Sequence, residues 1–134
     1  MPAISAALAA TRDCHCLAAR RRARAITRVY EDALRPVGLR ATQFTVLAAL
    51  AQMGSKTIGP LADFLGLERT TLTRSTQLLE QRGLLASVDT TDARQRALQV
   101  TPAGHELLHR ALPLWQVVQT QLTTAENPPV SAFQ

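Results

Sequence analysis

The sequence predicts a mainly α-helical chain with one small β-hairpin wing, built as a winged helix-turn-helix flanked by terminal helices. Three observations predict it. Residues 57–101 read as helix, glycine turn, helix, then two short strand-like runs about a polar turn. The apolar residues are mainly Ala and Leu, and aromatics make up only 4%, a composition that favours helices. Long helical patterns precede and follow that stretch. At 134 residues the chain reads as one domain, 1–134, long enough for a modest core. Residues 40–101 form the winged part, and 13–36 and 102–123 are the candidate dimerisation helices.

In chain order, residues 1–11 read as a loose arm or a frayed helix start. From Asp13 to Arg35 the pattern is helical, and Ala19, Ala23, Ile26, Tyr30 and Ala33 step by four and three along a heptad-like seam. Arg20, Arg21, Arg22, Arg24 and Arg28 occupy the other faces. Such a run is usually a solvated face, and some of it is also suited to DNA phosphates. Pro36 and Gly38 end this helix. Thr42 is the expected N-cap of the next one, whose face of Phe44, Leu47, Ala48, Leu50 and Ala51 should buttress the helix-turn-helix.

The first helix of the motif is seeded by Pro60, whose missing N–H costs nothing in a first turn. Ile58, Leu61, Ala62 and Leu65 give it one apolar face. Gly66 supplies the positive φ that stops it, and Leu67 fills the corner. The second helix runs from about Arg69 to Arg82. At about 100° per residue, Leu72, Ser75, Thr76 and Leu79 share one side. Thr70, Arg74, Gln77 and Gln81 lie opposite, with Thr73 on the flank. Those hydroxyls, amides and guanidinium suit phosphates and base edges in a major groove. An ordinary solvated face would look similar, and it is the hairpin after this helix that tips the reading.

Leu84–Val88 and Ala97–Val100 are the strand candidates, Leu98 and Val100 alternating. Arg94 and Arg96 lie near the tip of the hairpin, placed to reach a narrow minor groove. Asp92 is positioned to hold one of them. A plain surface hairpin with a local Asp–Arg pair is the competing reading. Thr101 then caps a long helix with Pro102 at its first position. That helix runs to about Leu122 and is interrupted at Pro113. Trp115, beside the proline, reads equally as core or as the aromatic wall of a ligand pocket.

The formal charge is +5 and the pI about 10.6. Fourteen of the fifteen basic residues are Arg, Lys56 being the exception, which suits phosphate contact. No apolar run is long enough to span a membrane, and MPAISAALAATRDC lacks the basic n-region of a signal peptide. A cytoplasmic chain with reduced cysteines is expected. Cys14-x-Cys16 at a helix start reads in three ways: a thiol switch, two soft metal ligands, or small residues at a subunit interface. His105-Glu106-Leu107-Leu108-His109 matches the zinc-protease pattern H-E-x-x-H. Only Glu126 remains downstream as a third ligand, so a protease is disfavoured. No enzyme, cofactor or resident metal is expected.

The run LGLERTTLTRSTQLLEQRGLL (65–85) and then DARQRALQVTPAG (92–104) resemble the multiple antibiotic resistance regulator (MarR) family. They resemble its recognition helix, its Asp-x-Arg wing and the Thr-x-x-Gly start of its long helix. The resemblance extends from Leu39 to Trp115. It implies a homodimeric transcriptional regulator on a double-stranded, pseudo-palindromic operator, a repressor released by a small phenolic aromatic ligand or by an oxidant. Carried onto this chain, it implies DNA contacts from Thr70, Thr71, Thr73, Arg74 and Gln77, and from Arg94 and Arg96 with Asp92 as support. The sequence departs from the family in two places. Ser87 stands where many members carry a basic residue, and AENPPVSAFQ (125–134) replaces a further helix.

Overall fold

The computed structural model describes residues 2–92 and 94–124; the tail 125–134 lies outside them. Six helices and one hairpin follow in order: α1 (Pro2–Ala10), α2 (His15–Leu34), α3 (Ala41–Met53), α4 (Ile58–Leu65), α5 (Arg69–Gln81), β1 (Leu85–Asp89), β2 (Arg96–Val100) and α6 (Pro102–Thr124). Short 3-10 turns, Thr11–Asp13 and Arg35–Val37, flank α2.

The central element is α3. Gln43, Phe44, Val46, Leu47, Ala49 and Leu50 are all buried along it, so it is enclosed on most sides rather than being amphipathic. It packs against α2, α4, α5, α6 and β2. Its N-cap is Arg40 rather than the expected Thr42. The Arg40 N–H is taken by Gln43 Oε1 at 3.0 Å, so Gln43 supplies the capping bond and Thr42 falls inside the first turn.

Gly66 takes φ +66 at the end of α4, and the Leu67 N–H reaches back to the Ala62 carbonyl at 3.0 Å. That closure turns the chain into α5 and sets Leu67, half-buried, against the core. In α5, Leu72, Thr76 and Leu79 are buried.

The hairpin pairs Leu85 with Val100 through Asp89 with Arg96 in antiparallel register. Leu98 is also bonded on its other side. Its N–H donates to the Lys56 carbonyl at 2.8 Å and its carbonyl accepts the Lys56 N–H at 3.1 Å. Lys56 thus adds a one-residue third strand. This bridge welds the wing to the α3–α4 loop. Strict alternation along β2 is not kept: Ala97 and Leu98 are both buried while Val100 is only partly so.

At the start of α6, Thr101 Oγ1 donates to the Gly83 carbonyl at 2.6 Å and accepts the Gly104 N–H at 3.0 Å. Gly104 lies against the Leu84 backbone and Val100, with no room for a Cβ. The helix continues through Pro113 to Thr124 without a break. At the other terminus, residues 2–10 form a helix rather than a loose arm, and its described side chains are exposed.

Gly104→Ala should lower stability by about 1–3 kcal/mol, since a Cβ must push the hairpin off the helix. Denaturant unfolding measures it, and an unchanged midpoint would contradict so close an approach.

Candidate nucleic-acid interface and effector cavity

The two sides of α5 divide its work. The buried side fixes the helix to α3 and α4, and the other side is left in solvent. Arg69, Thr70, Thr73, Arg74 and Gln77 line one open groove there. Thr71 is exposed but off that groove. Thr76 spends its hydroxyl on its own helix, donating to the Thr73 carbonyl at 2.9 Å. Arg69 is missing from the sequence-derived set. It precedes Thr70 and lies four residues before Thr73, on the same stripe, so the helical spacing could have found it.

The wing tip is held by backbone bonds. The Arg94 N–H donates to Asp92 Oδ1 at 3.0 Å and the Gln95 N–H to the Asp92 carbonyl at 3.0 Å. Thr90 Oγ1 accepts the Asp92 N–H at 3.2 Å. Asp92 therefore shapes the turn through main-chain contacts. The expected Asp92–guanidinium pair does not form; the carboxylate takes the Arg94 backbone N–H instead. Arg94 and Arg96 line a second hollow together with Gly59, Pro60 and Arg69. The Arg69 guanidinium lies over Gly59, close enough that a Cβ there would meet it at 3.0 Å. Three guanidiniums from α5 and the wing are thus gathered beside the first turn of α4, an arrangement suited to polyanions.

Ser87 has a structural job. Its hydroxyl donates to Glu80 Oε2 at 2.9 Å and ties β1 to α5. Nearby, Arg82 Nη1 donates to the Gly38 carbonyl at 2.8 Å, linking the end of α5 to the α2–α3 turn.

Trp115 stacks on Phe44, with ring centroids 6.0 Å apart and planes 25° from parallel. Both rings face a cavity of about 370 Å³ between α2, α3 and α6, walled otherwise by Ile26, Tyr30 and Leu34. Across its rim, the Tyr30 hydroxyl donates to Gln119 Oε1 at 2.6 Å. Burial raises the Tyr30 phenol above its ordinary pKa, because the partly dry site disfavours the phenolate. Trp115 is therefore both a core residue and a cavity wall.

Cys14 and Cys16 are free and exposed at the start of α2, and Arg20 Nη2 sits 3.8 Å from Cys16 Sγ. His105, Glu106 and His109 lie exposed on α6. No group of three metal-capable side chains gathers among the described residues.

The sequence pattern of the MarR family matches residues 37–95. The M. tuberculosis transcriptional regulator MosR, solved in complex with DNA, is 38% identical, with 87% of this chain and 86% of that one covered at a TM-score of 0.78. The chain belongs to the MarR family. The repressor CouR, solved on a 23-mer DNA duplex, is 25% identical over 87% of this chain and 84% of that one, with a TM-score of 0.76. The regulator YhbI of Bacillus subtilis (strain 168) is 31% identical over 85 residues, 63% of this chain and 55% of its own length. The chain thus matches little more than half of that relative. The MarR family match spans α3, the helix-turn-helix and the hairpin turn. The structural likeness takes in most of the chain. No helix among the described residues is long and apolar enough to cross a membrane.

Proposed function

We propose that this MarR-family chain is a cytoplasmic, sequence-specific DNA-binding repressor that acts as a homodimer and is released by a small aromatic ligand. The observation that carries the reading is the exposed stripe of Thr70, Thr73, Arg74 and Gln77 on a helix whose opposite side is locked into the core. A rigid helix with that surface is suited to a major groove, and Arg94 and Arg96 beside it suit the adjoining minor groove. MosR, the relative solved on DNA, supports the same use of the fold.

Dimerisation is supported by the terminal helices. Ile4, Leu8 and Val117 are 59%, 64% and 58% exposed. A nine-residue helix such as α1 is marginal in water without packing, so a second copy is its natural cover. Two recognition helices related by a two-fold meet grooves about one turn apart, which makes an inverted repeat the fitting operator. Ligand release rests on the aromatic cavity, because α6 supplies Trp115 to its wall and also carries exposed Val117 of the dimer face.

A second reading keeps the DNA and replaces the ligand. The Arg20 guanidinium lies 3.8 Å from Cys16 Sγ, and both thiols are open to solvent, where an oxidant can reach them.

Binding to the selected inverted repeat should fall steeply with salt as arginines release counterions. Equal affinity for every duplex of the same length would remove the sequence-specific reading.

Arg74→Ala should weaken operator binding by about 1–3 kcal/mol if it contacts a base, without unfolding the chain. Arg94→Ala should weaken it most where the flanks are A·T-rich. Fluorescence anisotropy at physiological salt measures both, and parent-like binding by Arg94→Ala would exclude the wing as a reader.

If the thiols sense oxidant, peroxide should release the parent from DNA while Cys14→Ser or Cys16→Ser stays bound. Identical behaviour of parent and both variants would exclude the switch.

A further inference from the structure

We propose that the hollow between the first turn of α4, the start of α5 and the wing seats one backbone phosphate of the operator, anchored by Arg69 with Arg94 and Arg96 beside it. The seat rests on the DNA-binding reading above and gives Arg69 a job within it: holding the duplex in register without reading a base.

The hollow has a volume of about 300 Å³, and Thr57, Gly59, Pro60, Arg69, Arg94 and Arg96 are among its lining. Among the described residues no Asp or Glu lines it, and no carboxylate pairs with the three guanidiniums. A guanidinium has donors and no acceptor. Gathered without a counter-charge, these side chains repel one another and leave their donors to solvent. An oxyanion between them relieves the repulsion and takes those donors, and the planar fork of arginine matches phosphate oxygens in particular. Thr57 makes no side-chain capping bond to α4, so its hydroxyl is free to join. The floor of the hollow is cut away to suit. The three atoms nearest to a Cβ at Gly59 would all belong to the Arg69 guanidinium, the closest at 3.0 Å. Glycine there leaves room for that guanidinium to lie against α4, inside the hollow.

Position makes the anion a phosphate of the DNA backbone. Arg69 lines this hollow and also the open groove of Thr70, Thr73, Arg74 and Gln77. On one side of it lies the surface suited to a major groove, and on the other lie the wing arginines suited to the adjoining minor groove. In a duplex those two grooves are separated by a single sugar–phosphate strand. A strand passing between α5 and the wing therefore crosses this hollow. A phosphate contact fixes register and orientation and carries no sequence information directly. Arg69 and Arg74 thus divide the work on one helix, the first holding the backbone and the second facing the bases.

The test is fluorescence anisotropy with the full chain and three kinds of duplex: the selected operator, a scrambled duplex of equal length, and operators with one phosphate at a time replaced by an uncharged methylphosphonate. Arg69→Ala should weaken operator and scrambled duplex by the same factor, roughly tenfold. The slope of log affinity against log salt should become shallower by about 0.9, the loss of one phosphate contact. For the parent, a methylphosphonate at one position per half-site, on the strand between the two grooves, should cost a similar factor. In Arg69→Ala that same replacement should cost little more, while Arg74→Ala should stay sensitive to it. Arg69→Gln, which keeps a polar stem, should behave as Arg69→Ala, and thermal midpoints near the parent's show that both are folded. Parent-like binding by Arg69→Ala, a changed ratio of operator to scrambled affinity, or methylphosphonate losses undiminished by Arg69→Ala would each overturn the phosphate seat and leave sequence-specific binding standing. Equal affinity of the parent for operator and scrambled duplex would overturn the sequence-specific reading, and the losses in Arg69→Ala would still decide the seat. Binding to no duplex would overturn both.

Discussion

Burial of α3 sets the geometry of nearly everything around it. Val46 and Leu47 are fully buried and Leu50 nearly so. Each such side chain contributes about 1.5–3 kcal/mol relative to exposure. The partners that bury them come from every other helix of the described fold except α1, and from the wing. Leu34 comes from α2, Leu107, Leu108 and Ala111 from α6, Leu72 and Leu79 from α5, Leu61 from α4, and Leu98 from the wing. One helix therefore sets the angle of the recognition helix, the seat of the wing and the path of the long C-terminal helix. Shifting any of them opens voids against the same side chains, so they are expected to move as coupled bodies.

That coupling lets the exposed stripe of α5 be chemically specialised. Thr70, Thr73, Arg74 and Gln77 contribute little to the core, so packing does not dictate their identities. Arg69, Arg94 and Arg96 are like charges gathered at one place. Solvent screening makes this tolerable in the free protein. Gly59 helps physically: without a Cβ it lets the Arg69 guanidinium lie down on the first turn of α4.

The helices that frame the aromatic cavity have a double attachment. α2 and α6 meet through Tyr30 and Gln119 and both pack on α3. A ligand that binds one arrangement of α2, α3 and α6 better than another shifts the population of recognition-helix positions by that difference in affinity. The Arg82–Gly38 bond gives a second mechanical link, from the α2–α3 turn to the C-terminal end of α5.

Local chemistry determined much of this in the sequence itself. Pro60 and Gly66 bound a short helix, and Thr101-Pro102 starts a long one, because missing N–H groups, positive φ and side-chain caps act within a few residues. The apolar spacing of Leu72, Thr76 and Leu79 fixed which side of α5 is buried, and so which side carries Arg74 and Gln77. Other features needed partners distant in the chain or a choice among near neighbours. Arg40 rather than Thr42 caps α3 because Gln43 turns back to take its N–H, a choice between neighbouring polar residues that spacing alone leaves open. Asp92 binds the Arg94 backbone instead of its guanidinium, since a carboxylate in a turn finds a main-chain N–H already beside it and leaves the arginine side chain to solvent. The Lys56–Leu98 bridge and the tight seat of Gly104 on Leu84 join segments that only folding brings together. The Phe44–Trp115 stack joins residues far apart in sequence, and Arg69, Arg94 and Arg96 share one hollow only when α5 and the wing come together beside α4.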